Sequence, residues 1–327
     1  MNRRTFRRRS KFIRILIPFL LSFIGLFLVI SVPFCYFSEK VGLGCFVSDE
    51  NVLAKSLVLP IPLAITPSLP HTVENLKLGD AIHKSLEGAS GDYSLAIQSL
   101  DGKESFSLQD HKIYDAGSLY KLWVMAAVYK KIERGELKED EMLSQDIPTL
   151  NKKFDIDPES AEQTEGTISL TVNSALTQMI TISHNYAALL LTEKIRLSSV
   201  ANFLKEEGFL DSKVGVNSES PVTSASDMVL FYKKLLANEL ANKENTDKML
   251  KLLKAQKLND KLPKFLPKGI EIAHKTGEID FFSHDAGIVY AKNPYIVAAL
   301  SKSDYPAGAE ERIATISKSI YEYFNTL

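Results

Sequence analysis

The sequence predicts an α+β fold: an antiparallel β-sheet flanked by N- and C-terminal helices, with an inserted all-helical lobe at about 118–260. Three observations support this class. A helix and a strand–turn–strand pattern come first, helical periodicity then dominates, and strand patterns return near residue 270 before a last helix. Strands on both sides of a helical block indicate one sheet that receives residues from both ends of the domain.

The N-terminal residues differ in composition from the rest of the chain. Residues 1–14 contain seven Arg or Lys and no acid, whereas the formal net charge of the whole chain is −1. Residues 15–37 carry no charge, and a helix of this length spans the ~30 Å hydrocarbon core of a bilayer. We predict a basic cytoplasmic tail at 1–14 and a transmembrane signal-anchor helix at 15–37, with the rest of the chain outside the cytoplasm.

A cleaved signal peptide is the alternative to a retained anchor. The apolar stretch is long for a signal peptide, and no Ala-x-Ala site closes it, so the anchor is favoured. Residues 38–71 are predicted to be a linker, because Pro60, Pro62, Pro67 and Pro70 interrupt its apolar residues.

The remaining residues, 72–327, are predicted to form the folded domain. Both cysteines, Cys35 and Cys45, precede it, so it has neither disulfides nor a thiolate metal site. Its histidines are scattered without ligand spacing, and no metal or cofactor is predicted. No phosphate-binding glycine loop or basic cluster outside the N-terminus indicates nucleic acid.

Periodicity and turn residues define the elements of this domain. In chain order they predict a helix at 73–86, strands at 93–100 and 103–108 joined by Asp101-Gly102, a buried helix from Ser118 to Gly135, helices at 171–183, 186–195, 199–207, 226–240 and 245–256, strands at 270–276, 286–291 and 295–300, and a helix at 309–324.

Three short motifs carry the candidate chemistry. Ser118-x-x-Lys121 places a hydroxyl and an amine one turn apart at the start of the most apolar helix, as a nucleophile and its base require. Ser183-His184-Asn185 links two predicted helices. Lys275-Thr276-Gly277 lies on a predicted strand.

This ordered set resembles the S-x-x-K, S-x-N and K-T-G motifs of class A β-lactamase-like serine hydrolases, a group that includes penicillin-binding proteins. The resemblance covers roughly residues 93–324 and implies a β-lactamase/penicillin-binding transpeptidase-like fold in a bacterial cell envelope. It also implies the following roles: Ser118 as nucleophile, Lys121 as its base, Ser183 as proton donor to the leaving nitrogen, the backbone N–H groups of Ser118 and Glu278 as the oxyanion hole, Asn185 as the ligand of the substrate's side-chain amide, and Lys275, Thr276 and Gly277 as the carboxylate site.

The sequence departs from class A β-lactamases at two motif positions. His184 stands where those enzymes have Asp, which the wider S-x-N pattern of penicillin-binding proteins permits. Glu278 stands where a small residue is usual, and its charge near Lys275 is predicted to weaken binding of anionic substrates. We assign no catalytic role to His184, His274 or His284.

The sequence contains no clear candidate for the base that deacylation requires. Class A β-lactamases activate the deacylating water with a Glu in a loop after the second motif, followed four residues later by Asn. Glu219 lies near the expected place, but Thr223 occupies the Asn position and the loop is short. Glu219 is retained as a candidate, although a solvated loop acid is the favoured interpretation.

The leading hypothesis is a monomeric, membrane-anchored serine hydrolase that opens β-lactam amides through an acyl-Ser118 intermediate. The first alternative is a D,D-peptidase of peptidoglycan stem peptides that releases β-lactams slowly. The second is a non-catalytic cell-wall binding module, which the complete set of motif residues disfavours.

Overall fold

The structure is a computed structural model that describes residues 76–215 and 219–327. The predicted tail (1–14), anchor (15–37) and linker (38–71) lie outside the described residues, and their assignments stay predictions. Among the described residues, no helix is both long enough and apolar enough to cross a bilayer.

A five-stranded antiparallel sheet forms the centre of the domain, beside two small two-stranded sheets. The strands are β1 (Asp92–Ser99), β2 (Ser105–Leu108), β3 (Tyr114–Asp115), β4 (Met142–Asp146), β5 (Thr167–Thr171), β6 (Val222–Thr223), β7 (Ile272–Ile279), β8 (Phe282–Val289) and β9 (Tyr295–Lys302). The large sheet has the order β2-β1-β9-β8-β7, and β3 pairs with β6 and β4 with β5. Because β1 pairs with β9, the two ends of the domain meet in one sheet.

Helices cover both faces of this sheet. The described helices are α1 (Leu76–Leu86), α2 (Lys121–Glu133), α3 (Ile147–Lys153), α4 (Val172–Thr181), α5 (Asn185–Ile195), α6 (Leu197–Glu206), α7 (Ala225–Leu236), α8 (Lys243–Lys254) and α9 (Pro306–Thr326). The first and last, α1 and α9, pack together against one face, and the others form the inserted lobe. The predicted α+β class is confirmed.

Alternate residues of the central strand β9 serve two separate cores. Val297 and Ala299 pack with α1 and α9, whereas Ala298 and Leu300 face the helical lobe. Since both faces are buried, the strand appears in the sequence as a continuous apolar run rather than an alternating one.

The helix α2 lies at the centre of the lobe. Every residue from Lys121 to Tyr129 is buried, which explains why its sequence is apolar nearly all round. It ends at Glu133, and Gly135 adopts φ +71°, a backbone conformation that glycine tolerates without strain.

The lobe contains more than the helices that the sequence predicted. The ribbon of β4 and β5 and the short helix α3 were both missed. In β4 only Leu143 is buried, so that strand has a weak hydrophobic period. In β5, Ile168 and Leu170 do alternate with polar residues, but these five residues run directly into helix α4. The start of α3 had a local signal, because Asp146 caps it by accepting from the Thr149 N–H at 3.0 Å and Pro148 follows.

Strand β8 also begins earlier than predicted, at Phe282 rather than at 286. The residues that hid this start are His284 and Asp285, which are polar but fully buried. Both have hydrogen-bond partners in the folded chain, and no sequence period can show such pairing.

Candidate active site

Ser118 lies in a tight turn that the rest of the fold holds in place. A single 3₁₀ turn, Gly117–Tyr120, contains Ser118 and continues directly into α2 at Lys121. The preceding residues are anchored from two sides: the Ala116 N–H donates to the Pro221 carbonyl at 2.7 Å, and His284 Nε2 lies 2.8 Å from the Asp115 carbonyl.

Two glycines bring this turn against the edge strand β7. A Cβ added to Gly117 would lie 2.7 Å from the Glu278 nitrogen, and one added to Gly277 would lie 2.7 Å from the Ala116 carbonyl oxygen. Neither distance is compatible with a side chain. The Glu278 nitrogen therefore lies beside the turn that carries Ser118.

Lys121 is buried beneath this turn and is held by the second motif. Its Nζ donates to the Ser183 carbonyl oxygen at 2.6 Å, to Ser183 Oγ at 3.1 Å and to Asn185 Oδ1 at 2.6 Å. Burial lowers the pKa of Lys121 to about 7, and the negative charge of Glu162 opposes that shift. Near neutral pH a substantial fraction of Lys121 is therefore an uncharged amine.

Ser183 joins the two lysines of the motifs. It follows the end of α4 with φ +58°, a left-handed conformation common just after a helix. Its Oγ accepts from Lys121 Nζ and from Lys275 Nζ, both at 3.1 Å. With both lone pairs occupied, the hydroxyl keeps its own proton for a further acceptor.

Lys275 lies on β7 and is fully buried. Its Nζ also donates to the Thr276 carbonyl at 2.7 Å. Burial, and then the like charge of Lys121, hold the pKa of Lys275 well below its usual range. A bound anion would favour the charged form of Lys275.

Glu278 has a partner that the sequence analysis did not identify. Its carboxylate forms an ion pair with Lys261, whose side chain is only 2% exposed, and Glu310 lies 3.8 Å from the same ammonium. The predicted repulsion of anionic substrates is therefore offset by a buried cation. Lys261 lies in the loop before β7, and no sequence motif marks it.

Asn185 begins α5, and the oxygen and nitrogen of its side-chain amide each form a hydrogen bond with an ionisable residue. Oδ1 accepts from Lys121, and Nδ2 donates to the Glu162 carboxylate. An ammonium requires an acceptor and a carboxylate a donor, so these neighbours determine which way the amide points. Glu162 is the second site residue that the sequence analysis missed.

Glu219 is not part of this polar cluster. It lines a largely apolar cavity of about 260 Å³ together with Tyr120, Val124, Leu189 and Val200. Among the described residues, none of the three motifs forms a hydrogen bond with its carboxylate. The structure thus brings together Lys121, Ser183, Asn185 and Lys275 and places Glu219 outside their network.

The three histidines that were given no catalytic role have structural contacts. His184 Nδ1 accepts from the Ala187 N–H at 3.2 Å and caps α5. His274 Nδ1 lies 2.9 Å from Asp285 Oδ1. Burial lowers the pKa of His284 to about 4, so it is neutral while it supports the turn before Ser118. Over the ranges that the structure describes, no group of His, Cys, Asp and Glu is suited to bind a metal ion.

An antiparallel sheet that carries K-T-G beside a helical lobe that carries S-x-x-K and S-x-N defines the superfamily of β-lactamases and penicillin-binding proteins. Within it, the chain belongs to the β-lactamase enzyme family, whose sequence model matches residues 77–324.

Solved structures have the same fold. PBP-A matches with a TM-score of 0.68 and 24% identity, over 77% of this chain and 96% of that chain. A PBP-A variant, solved as an acyl-enzyme complex with penicillin G, matches with a TM-score of 0.67 and 24% identity, over 77% of this chain and 97% of that chain. A β-lactamase from Sphaerobacter thermophilus DSM 20745 matches with a TM-score of 0.67 and 21% identity, over 77% of this chain and 98% of that chain. No curated protein sequence matches the chain.

Proposed function

We propose that this chain is a serine acyl-transfer enzyme and that β-lactam amides acylate Ser118. The observation that carries the proposal is the state of Lys121. It lies one turn after Ser118, it is buried, and its pKa is lowered to about 7. A lysine with that pKa can accept a proton at neutral pH, which an ordinary lysine cannot.

Acylation would proceed by attack of Ser118 Oγ on the lactam carbonyl carbon while Lys121 Nζ takes the hydroxyl proton. The N–H groups of Ser118 and Glu278 would stabilise the oxyanion, and loss of such a donor costs on the order of 3 kcal/mol of transition-state stabilisation. The carbon–nitrogen bond of the ring then breaks as the acyl–oxygen bond is completed.

The leaving nitrogen needs a proton, and Ser183 is placed to give it. Its Oγ is 3.1 Å from Lys121 Nζ, so the proton taken from Ser118 can be passed on through Ser183. The substrate carboxylate would lie against Lys275 and Thr276. The substrate's side-chain carbonyl would accept from Asn185 Nδ2.

A D,D-peptidase of peptidoglycan stem peptides is the second candidate, and the position of Glu219 favours it. Hydrolysis of an acyl-enzyme needs a base for the incoming water. Glu219 lines the cavity behind Tyr120 rather than joining the network of Lys121 and Ser183. An enzyme with intact acylation and slow hydrolysis would retain β-lactams as stable adducts.

One experiment separates these functions. The purified full-length chain and its Ser118→Ala variant are mixed with a chromogenic β-lactam while absorbance and intact mass are followed. Steady turnover supports a β-lactamase, and a persistent stoichiometric adduct supports the peptidase. An adduct on Ser118→Ala, or a wild type that shows neither turnover nor an adduct, would contradict the proposal. Unchanged turnover in Glu219→Gln would remove Glu219 from the mechanism.

The proposed location is a bacterial cell membrane, with residues 15–37 as a single-pass anchor and the catalytic domain on the outer side. The basic residues at 1–14 support this orientation, because positive flanks stay in the cytoplasm. Both proposed substrate classes occur on that outer side.

A further inference from the structure

Glu162 places a carboxylate next to the group that would bind the substrate's acyl side chain. It lies in the loop between α3 and β5 and accepts from Asn185 Nδ2. Burial is the main cause of the lowered pKa of Lys121 and of the raised pKa of Tyr120, and the charge of Glu162 shifts both pKa values upward, so this carboxylate interacts electrostatically with the site. In the part of the chain that the structure describes, no Lys, Arg or His forms an ion pair with this carboxylate.

The loop that carries Glu162 is held by a buried anchor. The next residue, Gln163, donates its N–H to the Tyr186 hydroxyl at 3.1 Å, and that hydroxyl lies 2.7 Å from the Gln163 carbonyl. Asn151 Nδ2 donates to the same carbonyl at 2.8 Å. Tyr186 is 2% exposed and directly follows Asn185 in the chain. The anchor therefore places Glu162 and Asn185 side by side.

This arrangement has a consequence for any substrate whose carbonyl binds Asn185 Nδ2. The amide nitrogen has two hydrogens, so one can bind the carbonyl while the other stays with Glu162. Two acceptors on one nitrogen lie about 5 Å apart, and their negative charge densities repel each other. A cation carried by the substrate beside its carbonyl would turn that repulsion into attraction.

We propose that Glu162 is a specificity-determining residue that selects substrates with an ammonium group beside the carbonyl bound by Asn185. This inference rests on the proposed function and specifies its substrate class. Aminopenicillins and peptides with a free amine on the acyl side of the scissile bond meet the requirement. Acyl groups without an amine do not.

The test compares two penicillins that differ only by an amino group on the acyl side chain, ampicillin and benzylpenicillin. The second-order rate constant for acylation of the full-length chain is measured for each at a pH where the amine is protonated, by intact mass where the adduct persists and as kcat/KM where the acyl-enzyme turns over. In Glu162→Gln the ampicillin/benzylpenicillin ratio should fall by about fivefold, as loss of an exposed ion pair predicts. In Glu162→Lys it should fall further.

Two further variants control for loss of charge and for folding. Glu165→Gln removes a charge from the same exposed loop and should leave the ratio unchanged. Tyr186→Phe keeps the charge but releases the anchor, and it should lower the ratio in the same direction as Glu162→Gln. Comparing two substrates on one variant cancels any general loss of active protein.

The outcomes separate the inference from the function on which it rests. If neither penicillin acylates the wild-type chain, the proposed function and this inference are both overturned. If both acylate it and the ratio is the same in wild type, Glu162→Gln and Glu162→Lys, the inference alone is wrong.

Discussion

At the scale of single residues, the site depends on keeping one amine out of water. An exposed lysine is almost fully protonated at neutral pH and has no lone pair to offer. Lys121 escapes this because burial disfavours its charged form, while Ser183 and Asn185 compensate for lost hydration with three hydrogen bonds. The result is a side chain that is poised between its two protonation states.

The pH dependence of acylation should report this state directly. Only the neutral amine can take the Ser118 proton, so the acylation rate constant should rise with pH through about 7 and fall about tenfold per unit below it. The measurement is the rate of acyl-Ser118 formation by mass, from pH 5 to 9. A profile that is flat over this range, or that is still rising tenfold per unit at pH 9, would contradict a Lys121 base with a pKa near 7.

The variant Glu162→Gln tests how the charge of Glu162 shifts the pH profile of acylation. The Glu162 charge raises the pKa of Lys121, so Glu162→Gln should move the midpoint of the profile to lower pH. Glu165→Gln, in the same loop, serves as the control and should leave the midpoint in place.

At the scale of elements, the site depends on how closely the 3₁₀ turn of Ser118 approaches β7. Gly277→Ala would place a methyl group 2.7 Å from the Ala116 carbonyl and 2.9 Å from Leu119 Cγ. Forcing the two elements apart should destabilise the fold by about 1–3 kcal/mol and slow acylation as well. Urea unfolding and adduct formation measure the two effects.

Gly79→Ala is the matched control for this prediction. It adds the same methyl group inside helix α1, where the nearest atom is 3.4 Å away on Phe106. Alanine favours a helix by about 1 kcal/mol over glycine, so this variant should be as stable as the wild type or more so. Equal stability of the two variants would show that Gly277 is not held by close packing.

The sequence could predict those parts of the site that local spacing encodes. The spacing of Ser118 and Lys121 predicted that they lie one helical turn apart, and the resemblance to the S-x-x-K, S-x-N and K-T-G set implied that Ser183 and Lys275 join them. Glu162 and Lys261 could not be found in this way. Each reaches the site from a loop. The position of Glu162 depends on the hydrogen bonds that Tyr186 and Asn151 make to its loop, and the position of Lys261 depends on the packing of the segment before β7.

The same limit explains the errors in secondary structure. The fold class followed from long periodic segments such as α2 and β9. The first residues of β8 depend on contacts that leave no period, as with His284 and Asp285. The alternating residues of β5 are only five and run directly into helix α4. Buried polar residues with distant partners are the positions at which a hydrophobic pattern predicts the wrong element.

At the scale of the whole molecule, the candidate active site lowers the stability of the fold at neutral pH, because Lys121 and Lys275 are buried with lowered pKa values. In the unfolded chain both lysines have pKa values near 10.4. Between pH 7 and about 10 the unfolded state therefore binds more protons than the folded state, and stability must increase with pH over that interval.

This linkage predicts stability that is greatest on the alkaline side of neutrality. The free energy of unfolding should rise from pH 7 to 9 by up to about 1.4 kcal/mol per pH unit for Lys121, and the lowered pKa of Lys275 contributes in the same direction. His111 acts in the opposite sense, since Asp211 raises its pKa, but it is largely exposed and contributes little. Urea unfolding at constant ionic strength measures the slope, and Lys121→Met should flatten it. A free energy of unfolding that is constant or falls from pH 7 to 9 would show that these lysines are charged in the folded protein, and Lys121 would then be unable to act as the base.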